Sequence, residues 1–298
     1  MIAYVFPGQG SQYVGMAKEF ANIPAAKELM MQSDDILQVH LTKIMTEGPE
    51  EMLRQTEFTQ PAIFLHSILA LRFGDHHEPP KAFAGHSLGE FTALCASGAL
   101  EFVDALNLVF VRGKLMAESG KRSPGTMAAI IGMDAATLKK MCEEIEMETG
   151  NIVRPANYNS PGQIVVSGSV HGVHEAIRRA KEKGIRIAKE LPVSGAFHSP
   201  LMQYAADGLK EVLASTIISK PTAPVFANAS AQPHGEPDAI RDLLVEQLTA
   251  PVRWEEIIHN MYDYGIREFV EFGPGKVLQG LIGRTLNAVK TVGVERPQ

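Results

Sequence analysis

The chain has 298 residues, of which 45% are hydrophobic and 21% charged, and its formal net charge is −6. This composition is typical of a globular protein, and the negative charge argues against broad nucleic-acid binding. No apolar run reaches the ~18 residues of a membrane span, and the first twelve residues lack the basic segment of a signal peptide. The two cysteines fit a reducing compartment. We therefore expect a cytoplasmic protein without membrane attachment.

Strands alternate with helices from the first residues, which predicts an α/β fold with a mostly parallel sheet. A short apolar strand at residues 2–6 ends at Pro7 and Gly8. Thr59 is expected to cap a helix that has Pro61 in its first turn. A buried strand at residues 82–84 leads into a glycine-flanked serine, and two helices follow, divided near Gly98.

The middle of the chain follows a different order of elements. Its pattern is strand, helix, two strands, helix and strand, at residues 127–132, 134–146, 154–157, 163–167, 174–183 and 185–191. That order is the ferredoxin-like β-α-β-β-α-β pattern. We therefore predict a small subdomain at residues 125–193, inserted into a large one formed by residues 1–124 and 194–298. The large subdomain resumes with a helix after Pro200, a strand at 224–227, a helix at 238–248 and a strand at 266–271.

Residues 85–89, Gly-His-Ser-Leu-Gly, match the G-x-S-x-G nucleophile turn, with a strand before and a helix after. In such a turn Ser87 is raised above the sheet at a helix N-terminus, where the N–H of Leu88 can stabilise an oxyanion. The alternative is a plain turn whose serine only caps the helix.

A serine nucleophile needs a base, and His198 is the best of the ten histidines. It precedes Ser199 and Pro200, which can begin a helix, and the positive end of that helix would keep the imidazole neutral. The alternative is a loop histidine with an ordinary hydrogen bond. His76 and His77 are expected in a solvated loop, and no histidine pair has a convincing metal-ligand spacing, so we expect no metal site.

Arg112 is the most informative charge in the sequence. Its neighbours one helical turn away are all apolar, so the guanidinium should face inward. They are Leu108, Val109, Leu115 and Met116. A buried arginine needs an anion or several acceptors, and the anion is either an internal carboxylate or the carboxylate of a substrate.

The glycines after the first strand do not form a dinucleotide-binding loop. Gly8, Gly10 and Gly15 do not have the G-x-G-x-x-G spacing, and no acidic residue ends a second strand about 20 residues later. No Walker A sequence is present either. We therefore expect no bound cofactor, although this loop can still offer backbone N–H groups to a site.

Five separated motifs together resemble the acyltransferase family that comprises malonyl-CoA:acyl carrier protein transacylase and the acyltransferase domains of polyketide synthases. The resemblance extends from residue 1 to about residue 285. The motifs are Phe6-Pro7-Gly8-Gln9-Gly10-Ser11-Gln12, Thr59-Gln60-Pro61, Gly85-His86-Ser87-Leu88-Gly89-Glu90, Ala196-Phe197-His198-Ser199 and Gly273-Pro274-Gly275. Arg112 also matches the family and lies between the third and fourth motifs. The resemblance implies an α/β-hydrolase-like large subdomain with a ferredoxin-like insert, and an activity that transfers malonyl from malonyl-CoA to acyl carrier protein.

The resemblance also implies roles for single residues. Ser87 would be the nucleophile, His198 its acid-base partner, and Arg112 the group that holds the malonyl carboxylate. The remaining matching positions are Gln9 and Leu88 for the oxyanion hole, Gln247 for a main-chain carbonyl that orients the histidine, and Gln60 and Asn228 near the site. Ala196 and Phe197 resemble the malonyl-type pattern, whereas Gly195 departs from some members and leaves acyl selectivity open.

Two other functions compete with malonyl transfer. A hydrolase of the same fold would use Ser87 and His198 but would not need Arg112. A catalytically dead carrier-binding module would have lost one of these three residues. The family implies a monomer. Residues 171–190 carry a net charge of +3, so the acidic carrier is predicted to dock near Arg178, Arg179, Lys181 and Lys183, with a merely solvated helix face as the alternative.

Overall fold

The computed structural model describes residues 1–76 and 78–297. In this part of the chain nine strands form two separate sheets, as the alternation of elements predicts. The strands are β1 Ile2–Phe6, β2 Ala82–Gly85, β3 Gly125–Ile131, β4 Val153–Ser160, β5 Gln163–Ser169, β6 Ile187–Glu190, β7 Val225–Phe226, β8 Glu268–Phe272 and β9 Lys290–Val294.

Twelve α-helices accompany these strands in the described residues. They are α1 Pro24–Leu37, α2 Leu41–Glu47, α3 Glu50–Leu53, α4 Thr56–Phe73, α5 Leu88–Ala96, α6 Phe102–Arg122, α7 Ala135–Thr149, α8 Val170–Glu182, α9 Gln203–Ser215, α10 Pro237–Glu246, α11 Trp254–Asp263 and α12 Val277–Thr285. The sequence pattern predicts neither α1–α3 nor α11 and β9. No described helix is long and apolar enough to cross a bilayer.

The first sheet is parallel throughout, with strand order β7-β2-β1-β8-β9. Alternate residues of its strands point to opposite faces. Ala3 and Val5 of β1 pack with α11 and α12 on one face, whereas Tyr4 and Phe6 pack with α4–α6 and α9 on the other. Helices therefore cover both faces, which buries the strands and leaves the carboxyl ends of β1 and β2 free to carry a site.

The second sheet is antiparallel, with strand order β4-β5-β3-β6. Together with α7 and α8 it has the β-α-β-β-α-β order that the sequence predicts. Ile164 and Val166 of β5 point into a separate core beneath α7 and α8. Val165 points to the opposite face, which is turned toward the first sheet and lines a cavity between the two.

Two local expectations were wrong. The helix expected to start at Thr59 begins at Thr56, with Gln55 as its N-cap, and Pro61 lies inside it. The hydroxyl of Thr59 does not accept from a helix N–H; it donates to the backbone oxygens of Leu53 and Gln55.

The second concerns His76 and His77, both expected in a solvated loop. His76 is half-buried, with its ring edge against Tyr4. His77 lies outside the described residues.

Candidate active site

The nucleophile turn joins β2 to α5, and its backbone needs the two glycines. Ser87 has a φ of 52° and a ψ of −105°, a conformation that side chains rarely adopt. A Cβ on Gly85 would lie 1.9 Å from the backbone of Gly89, and a Cβ on Gly89 would lie 2.1 Å from the carbonyl oxygen of Phe6. The turn is therefore possible only because both positions lack a side chain.

Asn228, just after β7, holds this strained turn in place. Its Oδ1 accepts a hydrogen bond from the Ser87 N–H at 2.6 Å, and its Nδ2 donates to the Gly85 carbonyl oxygen at 2.7 Å. Asn228 is fully buried. One side chain thus satisfies a backbone donor and a backbone acceptor of the turn.

Ser87 and His198 meet as the sequence predicts. The Ser87 Oγ lies 2.8 Å from His198 Nε2, and His198 Nδ1 lies 2.8 Å from the main-chain oxygen of Gln247. Because that oxygen can only accept, the proton of a neutral imidazole is on Nδ1 and Nε2 is free to accept the serine proton. The Gln247 carbonyl lies at the end of α10, where helix carbonyls lack intrahelical partners.

Burial keeps the His198 imidazole neutral. The ring is almost fully buried, and this burial, together with the nearby positive charge of Arg112, lowers its pKa to about 3. Ser199 caps the following turn by accepting from the N–H of Leu201, as expected. That turn, Pro200–Met202, is a short 3₁₀ helix, so the dominant cause is desolvation and not the helix end that the sequence suggested.

Arg112, on α6, is 1% exposed and points at the serine. Its Nη2 donates to Ser87 Oγ at 3.0 Å and to Gln247 Oε1 at 2.8 Å, and its Nη1 donates to Gln60 Oε1 at 2.6 Å. Within the described residues its Nε has no partner, and the guanidinium forms no ion pair with a carboxylate. A full positive charge therefore faces the nucleophile with only neutral oxygen acceptors around it.

The charge of Arg112 is costly to bury. Burial lowers the pKa of its guanidinium to about 10, and the negative charge of Glu90 opposes this shift. The ring of Phe91 lies 5.4 Å from the guanidinium carbon, which gives a weak cation–π contact. Because this pKa is still well above neutral pH, the guanidinium keeps its proton and its positive charge under ordinary conditions.

The oxyanion-hole candidates also converge on Ser87. Gln9 follows β1 and Leu88 begins α5, and both line the same cavity of about 400 Å³. Within the described part of the chain neither backbone N–H donates to an acceptor. The Gln9 side chain is held by Thr56, whose hydroxyl donates to Gln9 Oε1 at 2.8 Å. Two backbone donors are thus free in the cavity that Ser87 lines, and free donors of this kind are what a tetrahedral oxyanion requires.

The rest of the cavity wall is mainly apolar. Much of it comes from the antiparallel sheet and from α12: the apolar lining includes Met116, Met127, Val165, Leu191, Val193, Phe197, Leu278 and Leu281. Exposed Lys276 and Arg284 also belong to the lining. No group of three metal-binding side chains occurs among residues 1–76 and 78–297.

Sequence reasoning missed four polar residues around the site. His86 and Asn159 line the cavity, joined by a 2.8 Å contact between His86 Nε2 and Asn159 Oδ1, and burial lowers the pKa of His86. Glu90 and His234 form a fully buried pair behind Ser87. Glu90 had a detectable signal, because a lone carboxylate in the apolar helix α5 raises the same question that identified Arg112.

Comparisons with known proteins agree with this geometry. Residues 3–296 match the family model described as an acyl transferase domain. The chain is 46% identical over 299 residues to the malonyl CoA-acyl carrier protein transacylase of Bacillus subtilis, covering 100% of this chain and 94% of that protein.

Solved structures agree as well. The malonyl CoA-acyl carrier protein transacylase of Coxiella burnetii superposes with a TM-score of 0.94 at 40% identity, covering 99% of this chain and 94% of that one. A malonyl-transacylase solved in complex with its type II polyketide acyl-carrier protein superposes with a TM-score of 0.94 at 38% identity, covering 99% and 96%. The chain therefore belongs to the acyl transferase domain family and, within it, to the malonyl CoA-acyl carrier protein transacylases.

Proposed function

We propose that the protein transfers the malonyl group from malonyl-CoA to the phosphopantetheine thiol of acyl carrier protein, through a malonyl ester of Ser87. The observation that carries this proposal is the buried Arg112 guanidinium, which lies 3.0 Å from Ser87 Oγ and has no carboxylate partner among the described residues. A carboxylate-bearing acyl group on the serine would supply that missing anion. The relatives' names and the carrier complex of one structural neighbour support the same activity.

In the first half-reaction His198 acts as general base. Its Nε2 removes the hydroxyl proton as Ser87 Oγ attacks the thioester carbonyl, and a C–O bond forms. The backbone N–H groups of Gln9 and Leu88 stabilise the oxyanion of the tetrahedral intermediate. When the C–S bond breaks, His198 returns the proton to the sulfur of coenzyme A, which leaves as a thiol.

The second half-reaction reverses these steps with the carrier thiol. His198 takes the thiol proton, the sulfur attacks the malonyl ester, and the proton returns to Ser87 Oγ as the C–O bond breaks. Malonyl-CoA is a substrate in this scheme and not a cofactor, and none of the steps uses a cofactor. Gln247 orients His198 through its main-chain oxygen, Asn228 supports the turn of Ser87, and Gln60 holds Arg112.

Arg112 selects the acyl group. During transfer its guanidinium pairs with the free carboxylate of malonate, and the surrounding apolar wall keeps water from screening the pair. A hydrolase acting on acyl carriers would use the same Ser87 and His198, but its ester would be discharged by water. This alternative differs from transfer in the acceptor, and it does not need Arg112.

Intact-mass measurement separates the two functions. After mixing with malonyl-CoA, the protein should gain the mass of one malonyl group. Adding holo acyl carrier protein should move that mass to the carrier, while the adduct persists in buffer alone. Loss of the adduct to water at an equal rate with and without carrier would make the protein a hydrolase, and absence of any adduct would refute the serine mechanism.

For the carrier we propose docking near α8, at Arg178, Arg179, Lys181 and Lys183. Arg178 and Arg179 form ion pairs with Glu148, Glu175 and Glu182 on the protein surface. Lys181 and Lys183 have no such partner among the described residues and retain their net positive charge. Since carrier proteins are acidic, these two lysines, at the C-terminal end of α8 and just after it, are the residues that a carrier would contact.

Charge reversal tests this site against the cavity mouth. The Lys181→Glu/Lys183→Glu variant should raise KM for the carrier severalfold at low salt and leave KM for malonyl-CoA unchanged. The matched control reverses Lys276 and Arg284, which line the cavity on the opposite side of the antiparallel sheet from α8. If only the second variant raises the carrier KM, docking lies at the mouth.

We also propose the division into a large subdomain, residues 1–124 and 194–298, and an inserted one, residues 125–193. The two sheets lie within these respective ranges, and separate hydrophobic clusters underlie them, which supports the boundaries. A cytoplasmic location and a monomeric state remain predictions from the sequence.

A further inference from the structure

Glu90 is a fully buried carboxylate that the mechanism above does not use. It lies on α5, one turn beyond Ser87, and receives three hydrogen bonds. His234 Nε2 lies 2.7 Å from its Oε1, while the N–H of Asn228 and Nε2 of Gln247 donate to its Oε2 at 3.0 and 2.6 Å. Both Asn228 and Gln247 contact the nucleophile turn, so Glu90 is linked to Ser87 by two routes.

Gln247 connects Glu90 to Arg112. Its side-chain Oε1 accepts from Arg112 Nη2 at 2.8 Å, and its Nε2 donates to Glu90 Oε2 and to the Ser87 carbonyl oxygen. The amide has one stable orientation here, because a flipped amide would point its NH2 at a guanidinium and its oxygen at a carboxylate. Glu90 and Arg112 therefore define the position of Gln247, and Gln247 in turn positions the guanidinium.

A carboxylate satisfies all the donors around Glu90 and also places a negative charge near the buried Arg112. His234 Nδ1 is buried without a partner among the described residues, which favours the tautomer with its proton on Nε2. Three donors then converge on one side chain. A glutamine at this position could still accept from Asn228 and Gln247 through its single oxygen if His234 moved its proton to Nδ1, but the negative charge beside Gln247 would be lost.

We propose that Glu90 is a positioning residue for the recognition of the malonyl carboxylate: through the amide of Gln247 it fixes the guanidinium of Arg112 in front of Ser87. This inference rests on the proposed function, because it assigns the selectivity for a carboxylate-bearing acyl group to Arg112. It predicts that loss of the Glu90 charge impairs malonyl transfer more than acetyl transfer, since an acetyl group has no carboxylate to place.

The Glu90→Gln variant tests this assignment. The change replaces the charge-assisted hydrogen bond to Gln247 Nε2 by a weaker neutral one, so the Gln247 amide and, through it, the guanidinium of Arg112 lose their fixed position. We expect the ratio of malonyl to acetyl kcat/KM to fall at least about fivefold. In an Arg112→Ala background the same change should alter either substrate less than about threefold, because the group through which Glu90 acts is already absent.

A second variant covers the case in which Glu90→Gln does not fold. Gln247→Met keeps the main-chain oxygen that accepts from His198 and keeps both charges, but it removes the amide between Arg112 and Glu90. It should lower the malonyl to acetyl ratio in the same direction and be coupled to Arg112→Ala in the same way.

The outcomes are distinguishable. Equal losses for both acyl groups, or equal losses with and without Arg112, would make Glu90 a purely structural residue and overturn the inference. If Arg112→Ala itself left the malonyl to acetyl ratio unchanged, the proposed function would fail, whatever Glu90 does. If the malonyl to acetyl ratio fell in Arg112→Ala but not in Glu90→Gln, this inference would be refuted and the proposed function would stand.

Discussion

The two sheets contribute different things to the cavity that they share. The carboxyl ends of β1 and β2 in the parallel sheet lead directly to Gln9, Ser87 and Leu88, in turns with restricted backbone geometry. The antiparallel sheet contributes side chains from regular strands, such as Met127 and Val165. The nucleophile and the oxyanion-hole candidates thus come from strand ends, where the backbone is free to present N–H groups, and part of the wall comes from strand faces.

The largest effect is expected at the end of the parallel sheet. Ser87→Ala should abolish the malonyl adduct and lower kcat/KM by on the order of 10⁴ or more, because no other group can form the ester. Intact mass after incubation with malonyl-CoA is the measurement. The control Ser33→Ala removes a buried hydroxyl in α1, away from the cavity, and should leave the adduct intact. A stable malonyl adduct on the Ser87→Ala protein would refute the assignment.

A change in the antiparallel wall should act more mildly and without selectivity. Val165→Ala removes two methyl groups that line the cavity, a loss of about 1–2 kcal/mol of apolar burial. We expect kcat/KM for malonyl-CoA and acetyl-CoA to fall together by less than about tenfold, since neither a charge nor a reacting atom is removed. If the ratio between the two substrates shifted as strongly as for Arg112→Ala, the division between reacting end and wall would be wrong.

Stability at acid pH should also distinguish the two regions. Burial lowers the pKa of His66 to about 4 and that of His198 to about 3, and it lowers the pKa of His86, whereas His171 and His174 of the inserted segment are exposed.

The sign follows from proton uptake. As the pH falls below about 6.5, the unfolded chain binds protons at His66, His86 and His198, and the folded protein does not. The free energy of unfolding should therefore fall by up to about 1.4 kcal/mol per pH unit for each of the three. Urea unfolding between pH 7 and pH 5.5 measures this slope. His66→Gln should reduce the average slope over this range by roughly 0.6 proton. The control His171→Gln removes an exposed imidazole and should change the slope less; an identical slope in both variants would contradict the account.

Much of the site could be predicted from the sequence because its physical signals are local. The G-x-S-x-G turn has a strand before it and a helix after it, and Arg112 stands out within an apolar helix face. The sequence alone proposes His198 as the base and leaves an ordinary loop histidine as the alternative; the family resemblance decides between the two, since 111 positions separate Ser87 from His198.

The remaining features depend on contacts that no local pattern encodes. The pair Glu90–His234 joins residues 144 positions apart, and the bridging role of the Gln247 side chain appears only when Arg112 and Glu90 are both in place. The short helices α2 and α3 are too brief to produce a clear periodicity.

The most direct test of the central claim is the ratio of malonyl to acetyl kcat/KM in the wild type and in Arg112→Ala, with a melting curve for each protein. We expect malonyl transfer to fall by roughly 1.5–3.5 decades, corresponding to about 2–5 kcal/mol of lost pairing, while acetyl transfer changes little or improves and the melting temperature is maintained. A ratio that stays within about threefold, with both substrates and the melting temperature falling together, would mean that Arg112 braces α6 and does not select the substrate.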